Sequence, residues 1–173
     1  MKRIVFVFIF LLLVQANRAQ EAYPTPPDAH SRLFYIQHNK STNTFVYDAN
    51  FSAKKQLNET EPVKVYRLTY TKGGIKEELS NLQRKMAYGV TIIKSSATTC
   101  DFILAAYPSK TLQLKLHADG KPYVTVNING KNIILHKMFL NCNKLGSNVL
   151  SIDFYGKDTA TGKEIKENFI VKD

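Results

Sequence analysis

The stretch "YVTVNINGKNIILHKMFL", residues 123–140, decides how the chain is read. Val124, Val126 and Ile128 alternate with polar neighbours and so share one face of a strand. Asn129-Gly130 follows, and both residues tolerate positive φ, which a two-residue type I′ hairpin turn requires. "NIILHKMFL" then reads as the returning strand. An isolated hairpin is marginal in water, so the flanking sequence must supply more strands.

It does so on both sides. Downstream, "VLSIDFYG" and "KEIKENFIV" form a last hairpin around "KDTATG". Upstream, "TLQLKLHA" puts Leu112, Leu114 and Leu116 on one face and runs into the turn pair Asp119-Gly120. "VTIIKSS" and "CDFILAAY" are two shorter candidates. Nearer the start, "RLFYIQHN" and "TFVYDANF" make a hairpin, with Phe45, Tyr47, Ala49 and Phe51 at period two. "PVKVYRLTY" opens at Pro62, where a missing N–H is tolerated. The count is nine or ten strands. Short turns between successive strands favour antiparallel neighbours.

One segment has a different period. In "KEELSNLQRKMAYG", residues 76–89, Leu79, Leu82 and Met86 continue from Ile75 at offsets of four, three and four. On a helix these form one apolar stripe. Glu77 and Glu78 near its start and Arg84 and Lys85 near its end suit the helix dipole. Gly89 suits a left-handed C-terminal cap. The expected fold class is therefore mainly β (α+β): an antiparallel β-sandwich or barrel with one packed amphipathic helix lying as a lid on the core.

The first residues set an expectation about compartment. Lys2 and Arg3 precede an apolar run from Ile4 to Val14, and Ala16 and Ala19 follow as small residues. That is the layout of a signal peptide, residues 1–19, cleaved after Ala19. The run is short of the roughly 20 apolar residues that cross a bilayer as a helix, and the mature chain has no such stretch. Residues 20–31, with Pro24, Pro26 and Pro27, read as an extended leader, and residues 32–173 as a single β-rich domain. The expected location is periplasmic or extracellular. Losing Lys2, Arg3 and Arg18 takes the formal charge from +10 to +7. The lysines are spread evenly, as on a solvated basic surface, and the pattern contains no nucleic-acid-binding motif. In an oxidising compartment Cys100 and Cys142 are compatible with one disulfide or with two separate thiols.

Three segments together, "HNKSTNTFVYDAN", "EPVKVYRL" and "EELSNLQRKMAYGV", are similar to an exported bacterial family filed as domain of unknown function 4833. Lys40, Asn43, Val46, Tyr47, Asp48, Pro62, Val63, Val65 and Tyr66 match its pattern, as do Gln83, Arg84, Lys85, Ala87, Tyr88 and Gly89. Arg67 stands where the pattern has tryptophan, and His38 where it has arginine. The resemblance covers residues 33–90. It implies export and one compact domain, and it implies no activity, cofactor or catalytic residue.

The residues themselves offer few sites. His30, His38, His117 and His136 form no HxH, HExxH or Cys-His metal spacing. There is no GxSxG motif, phosphate loop or GxGxxG. No catalytic set, metal site or cofactor is read. Asn39-Lys40-Ser41, Asn50-Phe51-Ser52 and Asn58-Glu59-Thr60 fit a glycosylation triplet, which in a bacterial chain is coincidence of composition. Asp153, between Ile152 and Phe154, reads as facing solvent. Asp48 is the acid of interest. It either forms a structural ion pair fixing the helix to the sheet, or joins Tyr47, Arg84, Lys85 and Tyr88 in a ligand site.

Three functions fit these observations. The first is a non-enzymatic binding or structural module of the cell envelope, with an envelope protein or polysaccharide as partner. The second is a β-barrel carrier of a small apolar ligand, which needs a cavity of a few hundred Å3. The third is a hydrolase using Asp48 or the histidines, which must then converge in one cleft.

Overall fold

The computed structural model describes residues 23–171. The expected signal peptide, its cleavage point and the first residues of the leader lie outside them. In chain order the strands are β1 (Arg32–His38), β2 (Ser41–Ala49), β3 (Val63–Thr69), β4 (Ile75–Glu78), β5 (Val90–Ser95) and β6 (Thr99–Leu104). Then follow β7 (Tyr107–Leu116), β8 (Pro122–Ile128), β9 (Lys131–Cys142), β10 (Val149–Asp158) and β11 (Glu164–Ile170). A short helix, α1 (Asn81–Gln83), widens into a π turn (Arg84–Tyr88).

The deciding hairpin forms as its sequence requires. Asn129 and Gly130 take φ of 52° and 81°, and β8 pairs with β9 across them. Val124, Val126, Ile128, Leu112 and Leu114 are buried on one face. Strand β9 then does something the hairpin does not foretell. Its residues 131–134 pair with β8, while residues 137–140 of the same edge pair with β1, in parallel. Its other edge carries β10. The full order is β4-β3-β2-β1-β9-β8-β7-β6-β5, with β10 and β11 branching from β9. The sheet forks at β9 and curls into a half-barrel. The β1–β9 pair corrects an all-antiparallel reading: strands far apart in sequence need no hairpin and can pair either way.

The fork coincides with a slip in the apolar pattern. Ile133 and Leu135 face the core, and so do Met138 and Leu140 three residues further along. His136 and Lys137 absorb the change of phase, opposite a register shift between Tyr155 and Gly156 on β10. Gly156 is needed there, because a Cβ would lie 2.0 Å from the Ile134 carbonyl oxygen.

The concave face holds the core, with Phe34 and Tyr47 stacked at 4.4 Å between centroids. Leu57, from the β2–β3 connection, plugs into it, and its N–H donates to the Ala97 carbonyl at 2.8 Å. The described part of the leader, residues 23–31, does not enter this core. It packs across the outside of β1 and β9, where the Pro24 carbonyl accepts from Gln37 Nε2 at 2.8 Å and Tyr23 meets Phe139 edge-on. Asp153 does point away from the core, but it is covered, accepting from Asn168 at 2.7 Å and pairing with Lys166 at 3.1 Å.

The expected helix over residues 76–89 is largely overturned. Gly73 and Gly74, both at positive φ, turn the chain so that β4 pairs back onto β3. Arg67, Thr69 and Lys72 all hydrogen-bond Glu77. These bonds, Lys72 first, hold its carboxyl down at about 2. Helix begins only at Ser80, whose hydroxyl accepts from Gln83 N–H while Gln83 Oε1 accepts from Ser80 N–H. This is a capping box, and "SNLQ" was its legible signal. Of the supposed stripe only Leu79 is buried, while Leu82 is 71% exposed and Met86 69% exposed. Gly89 is extended, at φ −69°, not left-handed.

Three substitutions test this account. Leu79→Ala should cost roughly 2–5 kcal/mol in chemical denaturation, whereas Leu82→Ala should stay within about 0.5 kcal/mol. Gly156→Ala should cost about 1–3 kcal/mol, because the clash is with backbone that cannot rotate away. A thermal midpoint unmoved by Gly156→Ala would mean that β9 and β10 do not cross so closely.

Candidate functional site

The proposed Asp48 cluster is not assembled. Asp48 and Tyr47 are successive strand residues and point to opposite faces. On the convex face Asp48 accepts from Arg32 Nε at 2.7 Å and from the Tyr66 hydroxyl at 2.9 Å. Burial alone would lower the Arg32 pKa, but the adjoining carboxylate outweighs it and the net direction is up. This is an ion pair, as one sequence reading held, yet it ties β1, β2 and β3 together and never touches the helix. Arg84 instead pairs with Glu78 at 2.6 Å, and Lys85 is exposed.

Tyr47 and Tyr88 do meet, in the concave interior. The Tyr47 hydroxyl donates to the Tyr88 carbonyl at 2.7 Å, and the Tyr88 ring stacks on Phe45 at 3.4 Å between centroids. Burial pushes the Tyr88 phenol up to about 12. Two backbone bonds complete the attachment, from Ala105 N–H to the Gly89 carbonyl and from Ala106 N–H to the Ala87 carbonyl. A Cβ on Gly89 would sit 2.0 Å from the Arg84 carbonyl oxygen, so this end of the π turn has no room for a side chain.

These contacts form one wall of a cavity of about 340 Å3 at the mouth of the half-barrel. Ile36, Leu104, Met138, Leu140, Val149 and Ile152 give it an apolar lining, and Met86, Ala87 and Tyr88 close it from the helical side. His38, Lys40, Cys142 and Ser147 supply a polar end. Asn39 fixes that end in place. Its amide donates to the Cys142 carbonyl at 3.1 Å and accepts from Cys142 N–H at 3.0 Å, locking the β1–β2 turn to the end of β9. The sequence offers Asn39 only as part of a glycosylation triplet, so this role was not legible.

The cysteines are two separate free thiols. Cys100 is buried on β6, and burial raises it to about 11, while Cys142 ends β9 beside the mouth cavity. Strands β7 and β8 stand between β6 and β9 in the sheet, which explains why no bridge forms.

A second, larger cavity of about 580 Å3 lies on the convex side where β1 and β8 diverge, beneath residues 25–29 of the leader. His117 and His136 both line it. Of its polar groups, Arg32 pairs with Asp48, Lys157 faces Glu164 at 3.8 Å, and the His117 ring stacks on Tyr123. His38 lies at the other cavity, so Asp48 and the histidines of the hydrolase reading do not converge. Among the described residues no cluster of three or more His, Cys, Asp or Glu could hold a metal. The mouth cavity is the candidate site, because its apolar walls end in a cluster of polar side chains.

Residues 34–168 match the family described as Domain of unknown function (DUF4833). The chain belongs to that family. The match reaches well beyond residues 33–90, so the DUF4833 domain takes in the fork at β9 and all but one of the residues that line the mouth cavity. No curated protein and no solved structure matches the chain. Three residues that carry the resemblance in the DUF4833 sequence, Lys40, Ala87 and Tyr88, line the mouth cavity.

Asp48→Ala should cost about 1–3 kcal/mol of stability, since it strands a largely buried guanidinium. It should leave ligand binding at the mouth unchanged, measured by titration below the unfolding transition. Loss of binding without loss of stability would place Asp48 in the site after all.

Proposed function

We propose that this protein is an exported, non-enzymatic binding module that holds a small apolar ligand in the mouth of its half-barrel. The observation that carries the reading is the apolar cavity of about 340 Å3 at the open end of the sheet. That volume falls in the range of small-molecule sites, about 300–1,000 Å3. The Tyr88 attachment supports a preformed wall, which spares the ligand the cost of ordering it. Exposed Met86 beside the opening gives an apolar ligand a path from its carrier surface into the cavity. Export rests on the charged start and the apolar run of residues 4–14.

A neutral fluorescent probe, N-phenyl-1-naphthylamine, should bind saturably at one site per chain. Ala106→Trp, which fills the cavity from the β6–β7 turn, should weaken that binding at least tenfold with the circular dichroism spectrum unchanged. Non-saturable binding, or binding indifferent to Ala106→Trp, would remove the reading. The mature protein recovered from a bacterial periplasm should begin at Gln20, and an uncleaved cytoplasmic product would refute export.

A further inference from the structure

The polar end of the mouth cavity has a definite sign. Among the described lining residues Lys40 bears the one formal charge, and none is Asp or Glu. Among the described residues Lys40 forms no ion pair, unlike Arg32, Arg67 and Arg84. Its position is held from two directions. The Asn39 side chain clamps the turn to Cys142, and the Lys40 stem packs against Gly146, where an added Cβ would lie 3.3 Å from Lys40 Cγ.

His38 adds a second donor. Its Nδ1 accepts from the Lys40 backbone N–H at 3.2 Å. The neutral ring therefore carries its proton on Nε2. The ring lies half-buried in the cavity lining, and burial lowers its pKa, so the neutral form persists at neutral pH. An ammonium, an imidazole N–H, the Cys142 thiol and the Ser147 hydroxyl thus stand at one end of a space whose other walls are mostly apolar. Among the described residues lining it there is no carboxylate that would repel an anion.

We infer that the ligand is a single-chain amphiphile with an anionic head, its carboxylate or equivalent group beside Lys40 and His38 and its alkyl chain among Leu104, Met138 and Ile152. This rests on the mouth cavity being the binding site. The cavity volume is near the lower limit for small-molecule sites, with room for one alkyl chain and not for the two of a phospholipid. The ammonium is accessible to water, so it contributes selectivity more than affinity.

Displacement of N-phenyl-1-naphthylamine by decanoate and by 1-decanol separates the possibilities. In the wild-type chain decanoate should displace the probe at a concentration about fivefold or more below that of decanol. Lys40→Met should abolish this preference, and Lys40→Arg should restore it. Raising the salt concentration should narrow the wild-type preference. Equal displacement by acid and alcohol, or a preference that survives Lys40→Met, overturns the anionic head but leaves the apolar site standing. If neither the probe nor either amphiphile binds, both conclusions fall.

Discussion

Strand β9 has two edges and three partners. Backbone N–H and C=O groups that leave water must be paired, and a strand offers one row of them on each side. Twelve residues are enough for β9 to divide one row between β8 and β1 while giving the other to β10. Once that edge is divided, β8 and β1 cannot continue side by side, and the sheet must open between them. The larger convex cavity is that opening. The concave face gains the opposite property: strands from both branches turn their apolar sides toward one interior.

The mouth is built from attachments, not from a packed helix. Residues 79–89 bury little apolar area of their own. They stay in place through Leu79, the Phe45–Tyr88 stack, the Tyr47 hydroxyl and the two bonds from the β6–β7 turn. A segment held at a few points keeps its outer residues free, which is why Leu82 and Met86 remain in solvent. The same economy applies across the cavity. One asparagine side chain, by extending the β1–β9 ladder, sets the position of both His38 and Lys40 relative to Cys142.

Most of the strands were legible because each announces itself locally. Alternation in "TLQLKLHA" and "YVTVNI" and the Asn129-Gly130 pair act over a few residues, and nothing distant contradicts them. Residues 75–89 misled because the same four apolar residues satisfy a helical stripe and also a strand, a buried link and a short capped helix. Gly73-Gly74 and the Ser80–Gln83 box were the local signs of the true division. Asp48 was legible as half of an ion pair but not as the partner of Arg32, since Arg32 lies on a neighbouring strand and pairing crosses the sheet. Of the five residues proposed as a site, only Tyr47 and Tyr88 are brought together.

By itself the sequence determined that the chain is β-rich, where most of its strands and its tightest turn lie, and which family pattern it carries. Those properties depend on side-chain period and on the φ preferences of single residues, which need no tertiary information. Only the tertiary structure decided that β1 adds in parallel to β9, that the sheet forks, and that Lys40, Cys142 and Tyr88 border one cavity. Each of these is a choice of partner between segments separated by tens of residues. Such a choice is made by which free edge and which apolar face remain once the local elements have formed, and no short stretch of sequence contains that information.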